Sequence, residues 1–164
     1  MPFEDPQTDG PRSSRPCSHA CSDLTCPVPS IRNLALGLAL RESHVLASHG
    51  ADPATGRRFY RALGGGIEFG ESAEAAVRRE FLEELGVELE HVQLLGVLEN
   101  FFEWDSHPGH EIVHVFEVSS SHIDELPLDA QLTVLDTGDA VTWIPLDSER
   151  PIDPAGVLDL VPRR

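Results

Sequence analysis

From Ile31 onward, apolar residues fall into short runs broken by polar and glycine-rich stretches. Residues 31–40 and 45–48 are apolar runs separated by Arg41-Glu42-Ser43-His44, a spacing that predicts paired strands. Residues 49–56, HGADPATG, form a turn-rich loop, and 57–63 make a strand that ends in glycines. In residues 73–85 the period changes. Ala73, Val77, Phe81 and Leu85 recur every four residues with Leu82 beside them, the buried stripe of a helix. Ser72 is its N-cap and Gly86 its C′ residue. Beyond it, 92–98 and 112–118 read as strands joined by a polar and aromatic connection, 140–145 as a last strand, and 154–160 as a short closing helix. Strands on both sides of one central helix predict an α/β domain with a mixed sheet rather than a regular βαβ repeat. Residues 1–30, rich in Pro, Ser, Asp and Cys and without a period, read as a disordered or loosely attached tail before a domain spanning 31–164.

The helix carries more than a buried stripe. Glu80, Glu83 and Glu84 stand at i, i+3 and i+4, so their carboxylates share a face that the stripe leaves free. Three like charges one turn apart repel, and something cationic should compensate. Arg78 and Arg79 supply part of this; a hard divalent cation taking carboxylate oxygens, such as Mg²⁺, supplies the rest better. The competing reading is a plain solvated acidic face. Gly64, Gly65 and Gly66 argue against it, because three glycines ahead of the helix allow close backbone approach to a ligand. Glu71, just before the helix, can be brought near Arg79 by the fold of the loop.

Residues 65–87 thus read G-x5-E-x7-R-E-U-x-E-E-x-G-U, with U apolar, and match the Nudix box at every specified position. The chain resembles the Nudix hydrolases. The resemblance implies a loop–helix–loop catalytic element on an α/β/α sandwich around a mixed β-sheet. It also implies Mg²⁺- or Mn²⁺-dependent hydrolysis of a nucleoside diphosphate linked to a further group. By position, Glu80, Glu83 and Glu84 would be the metal ligands, Arg79 would orient them, Glu71 would support the loop or a second metal, and Gly65 would let the loop bend. The general base is not fixed to one position in this superfamily: Glu83 and Glu80 are candidates within the box, and Glu99, Glu103, Glu111 or Glu125 outside it. The chain has Leu63 where many relatives carry proline, which would only stiffen the turn. A binding module that keeps the fold without the chemistry is the alternative, but such proteins usually lose a box glutamate or the arginine, and none is lost here. An isomerase or other transferase on this fold would need extra cysteine and glutamate groups at the site, and the only cysteines lie in the tail.

Composition narrows the partner. A net charge of −16 argues against an electrostatic grip on nucleic acid, though not against a nucleotide, since bound metal reverses the local sign. All 12 basic residues are arginine, so any side-chain cation holding phosphate is a planar fork. Arg61, nearest the glycines, is the leading candidate, ahead of Arg57 and Arg58, and Gly66 joins it in the substrate loop. No apolar run approaches the ~20 residues of a membrane span, and no signal peptide is evident, so the expected compartment is the cytoplasm. Cys17, Cys21 and Cys26 have spacings too loose for a zinc pair and read as free thiols.

Residues 99–111 pack Phe101, Phe102 and Trp104 among carboxylates and histidines. Trp104 is the candidate to stack on a base, with Tyr60 and Phe59 as rivals; the plainer reading makes Phe101 and Phe102 core. Glu111 is a candidate extra ligand or base. His107, His110 and His114 read as structural or exposed, since Mg²⁺ prefers oxygen. Nucleotide sugars, ADP-ribose, (d)NTPs and dinucleoside polyphosphates share the pyrophosphate that the box reads, so choice among them rests on contacts outside it. Homodimers are common on such folds.

Overall fold

The computed structural model describes residues 30–104 and 107–162. The tail and cysteine readings therefore lie outside the described residues. The strands are β1 (Ile31–Arg41), β2 (His44–Ala51), β3 (Arg58–Gly66), β4 (His91–Trp104), β5 (His107–Ser119), β6 (Gln131–Thr133), β7 (Ala140–Pro145) and β8 (Ile152–Asp153). They form one mixed sheet in the order β4-β5-β1-β3-β2-β7-β6, with β8 beside β3. β1 runs parallel to β5 and β8 parallel to β3; the other pairs are antiparallel.

β3 is the pivot. Its C-terminal half, Leu63 to Gly66, pairs with β1, while Arg58 to Ala62 pairs with β2. The strand thus joins the two halves of the sheet, and residues from both of its parts line the cleft described below. The glycines belong to this strand instead of a free loop. Only Gly64 takes a positive φ, 123°, and a Cβ on it would lie 2.3 Å from the Ala35 carbonyl oxygen. No other residue type lets β3 cross β1 so closely.

Helix α1 (Ala73–Leu85) packs on one face of the sheet. The Ser72 side chain accepts from the Ala75 N–H at 3.1 Å, and Gly86 closes the helix at φ 69°. Ala76, Val77 and Phe81 are fully buried against Ala35, Ala39, Leu46 and Leu63. Leu82 is not part of the stripe; it is 48% exposed, and Ala76 takes the inward place. At 3.6 residues per turn Leu82 lies about 100° around from Phe81. A short helix α2 (Ser121–Asp124) adds Ile123 to the same core. The opposite face buries Leu34, Leu36, Leu38, Val113 and Val115 under a single 3-10 turn (Val157–Leu160), so the second outer layer of the sandwich is one turn long.

Two expected loops are strand. β2 continues to Ala51, and the turn is confined to 52–57, where the Gly56 N–H donates to the Asp52 carbonyl at 2.7 Å. The polar connection at 99–111 is a ribbon: β4 and β5 stay paired out to Trp104 opposite His107. Much of the outer ribbon is exposed, so no inside–outside alternation marks it in the sequence. No helix among the described residues is long and apolar enough to cross a membrane.

Candidate active site

Arg79 organises the box. Its Nε donates to Glu71 Oε1 at 3.0 Å and its Nη2 to Glu71 Oε2 at 3.1 Å and the Gly66 carbonyl at 2.9 Å. Its Nη1 donates to Glu80 Oε1 and Glu83 Oε2, both at 2.9 Å. These bonds engage every N–H that a guanidinium has. Arg79 thus has no donor left over, and it ties together the carboxylates of Glu71, Glu80 and Glu83. Its own charge is held more firmly than usual, chiefly by Glu71, against the cost of burial. In return Arg79, helped by the Glu68 N–H, holds the Glu71 carboxyl below the usual carboxylate range. Glu71 is therefore fixed as the brace between loop and helix.

Gly65 leaves room for Glu80, since a Cβ there would stand 2.5 Å from Glu80 Oε1. A Cβ on Gly66 would meet nothing within 4 Å, and that residue contributes its carbonyl alone.

Glu84 stands apart from the Arg79 network. It accepts the Gly64 N–H at 3.0 Å. Burial, together with the nearby charges of Glu80 and Asp136, pushes its carboxyl up to about 7, with the Gly64 amide and Arg61 pulling the other way. A part-buried carboxylate short of positive charge is what a bound cation relieves. The donors are all hard oxygens, fit for Mg²⁺ or Mn²⁺. Among the described residues no three candidate ligands already form a cage. Arg79 sits between Glu80 and Glu83, and it holds the Glu83 carboxylate although that side chain is 59% exposed.

The raised Glu84 pKa has a definite sign. The folded, metal-free chain retains a proton that the unfolded chain, with the ordinary glutamate value near 4.5, gives up. That contribution to stability is complete below about pH 4.5 and is lost as pH rises through about 7. Divalent-metal affinity should move oppositely, rising to about pH 7 and then levelling, with proton release on binding. Calorimetric Mg²⁺ titrations at pH 6 and 8 in buffers of different ionisation enthalpy check both; equal affinities at the two pH values would refute the assignment.

A cleft of about 490 Å³ lies beside the glycine end of β3. Gly64, Gly65 and Arg61 line it, together with the aromatic rings of Phe59, Phe102 and Trp104. Phe59 and Trp104 meet edge to face, centroids 6.1 Å apart. Glu111 also lines it, 7% exposed, accepting from Asn100 Nδ2 at 3.0 Å and facing Arg32 at 3.5 Å. Tyr60 does not join them. Alternation along β3 puts Phe59 and Arg61 on one face and Tyr60 on the other, against His49 and under Arg150. Period two alone would have separated Tyr60 from Phe59. Phe101 is 69% exposed and stacks on His110, 4.3 Å between centroids, so it is not core. Asn100, Arg32 and the Asp153–Ala155 segment of the cleft carried no sequence signal, being brought there by the pairing of distant strands.

A family model for the NUDIX domain matches residues 32–159. The fold is similar to that of a MutT NUDIX hydrolase from Burkholderia pseudomallei, at 23% identity, 81% of this chain, 99% of that one and a TM-score of 0.61. It is also similar to the E. coli ORF135 protein, at 20% identity, 82% and 91% coverage and a TM-score of 0.57. A third likeness is to a mMutator MutT protein from Bacillus halodurans, at 17% identity, 79% and 80% coverage and a TM-score of 0.55. The chain therefore belongs to the NUDIX domain family and is a Nudix-type pyrophosphohydrolase, a class acting on nucleoside diphosphate-linked small molecules.

Proposed function

We propose that the cleft hydrolyses the pyrophosphate bond of a nucleoside diphosphate joined to a second group, with Mg²⁺ or Mn²⁺ held by Glu80, Glu83 and Glu84. The observation that carries this reading is Glu84: a part-buried carboxylate, short of positive charge and bonded to Gly64, which itself lines a nucleotide-sized cleft. When bound, the divalent ion neutralises the diphosphate and polarises a phosphorus for attack by water.

The remaining work falls to the chain. The glycine end of β3 lets the backbone approach the phosphates, and Arg61, exposed beside it, holds a phosphate oxygen through its fork. Glu83, whose side chain is 59% exposed, is the general base that takes the proton of the attacking water, with Glu80 the rival candidate. Arg79 orients both and Glu71 fixes Arg79. Trp104, backed by Phe59, offers its face to the base. Glu111, engaged by Asn100 and Arg32, holds a polar wall in place as it stands.

Turnover of ADP-ribose, nucleotide sugars, (d)NTPs and dinucleoside polyphosphates with Mg²⁺ or Mn²⁺ tests this. Metal-dependent release from one class, abolished by chelation, is the expected result. An inert panel would overturn the reading.

A further inference from the structure

A second hollow of about 460 Å³ adjoins the cleft and shares Phe59, Arg61 and Trp104 with it. Its other walls are Ser48 to Ala51 of β2, Arg58, Asp139 and Arg150. The arginines here differ from the rest of the described residues. Arg32, Arg57, Arg78 and Arg79 each hold a carboxylate, and Arg41 donates to the Leu126 carbonyl. Arg58, Arg61 and Arg150, the other arginines among the described residues, form no ion pair with another described residue, and all three line this hollow.

That is unexpected in a chain with 28 acidic residues to 12 basic ones, where a carboxylate partner is easy to find. The one carboxylate in the wall, Asp139, already accepts from Thr137 Oγ1 at 2.9 Å. Two of the three guanidiniums lie over ring faces, Arg61 5.7 Å from the Phe59 centroid and Arg150 4.8 Å from that of Tyr60. A ring face attracts the cation yet leaves its N–H fork open. Tyr60 is itself braced edge-on by His49, whose Nε2 is 2.8 Å from Thr142 Oγ1.

We propose that this hollow is a subsite for a phosphate monoester, separate from the metal-binding carboxylates and joined to the cleft through Arg61. Several open forks suit an anion with three acceptor oxygens better than a single carboxylate, which one fork satisfies. A substrate whose diphosphate lies in the cleft would reach the hollow with a second phosphate, past the Phe59–Trp104 pair. The identity of that substrate rests on the hydrolase reading of the cleft; the anion site does not.

Two measurements separate these claims. Inorganic phosphate, titrated calorimetrically into the metal-free full chain at low salt, should bind saturably to the wild type and to Glu84→Gln. It should bind at least about tenfold more weakly to an Arg58→Gln/Arg150→Gln double variant. No saturable binding, or binding unchanged in the double variant, overturns the subsite.

Turnover then reads the source of the phosphate. ADP-ribose and its 2′-phosphate, and NADH and NADPH, are pairs differing by one phosphate monoester. A preference of about tenfold for the phosphorylated member places the anion on the substrate. The double variant should abolish that preference and turn over the plain member as before. Equal turnover, with inorganic phosphate inhibiting the wild type alone, assigns the subsite to free phosphate. An inert enzyme would sink the hydrolase reading, while the phosphate titration would still decide the anion site.

Discussion

Glu84→Gln is expected to lower metal-dependent nucleotide hydrolysis about a thousandfold, a loss of about 4 kcal/mol in transition-state stabilisation. The metal-free fold should nevertheless be as stable as the wild type at pH 8, or more so. Both halves follow from one environment. Glutamine keeps an oxygen for the Gly64 N–H, so the link between β3 and α1 survives. It removes a charge that burial, Glu80 and Asp136 all oppose. The same removal takes away a ligand from the hard-oxygen set and the charge that attracts the cation. Turnover, Mg²⁺ calorimetry and thermal melts on one preparation test the pair of claims. A variant that loses activity only because it unfolds would show a lowered melting temperature, and that outcome would refute this role of Glu84.

Phe81→Ala should be the most damaging change to the scaffold, costing about 3–5 kcal/mol. The ring is fully buried, and it seats the helix by lying over Gly37, where a Cβ would come within 2.5 Å of its Cε2. That contact makes a sharper prediction than the loss itself. Gly37→Ala should destabilise the wild type, because the ring cannot move in a filled core. In the Phe81→Ala background the added methyl should recover about 1 kcal/mol by filling part of the cavity, after Val118, 3.1 Å away, gives slightly. Denaturant midpoints of the four proteins complete the cycle. Equal effects of Gly37→Ala in both backgrounds would disprove the packing.

The bounds of the helix are legible from the sequence because each of its signals is local: Ser72 caps it, Gly86 stops it, and Phe81 marks the buried side. Leu82 departs from expectation because an apolar neighbour of the stripe can lie a quarter-turn outside it. The outer β4–β5 ribbon is illegible because the signal for a strand is burial on one face, and Phe101, Glu103 and Trp104 are exposed together. β6 and β8 are too short, three and two residues, to carry a period. Within the site the same rule holds. Glu71, Arg79, Glu80, Glu83 and Glu84 are close in sequence and stand out together. The cleft walls depend on register between strands far apart; the local cues to them are the aromatic and acidic cluster at 99–111, which holds Trp104 and Glu111, the place of Arg61 beside the glycines, and period two along β3, which separates Phe59 from Tyr60.

Every partner of Arg79 lies between Gly66 and Glu83, whereas the cleft draws its walls from β1, β3, the β4–β5 ribbon and the segment after β8. Inheritance can therefore act on the two separately. A lineage can exchange residues at the tip of the ribbon, or insert into it, and try new substrates without disturbing the reaction. A single change inside the box puts the whole reaction at risk. Descendants of such a chain would diverge in what they consume long before they diverge in how they cut it.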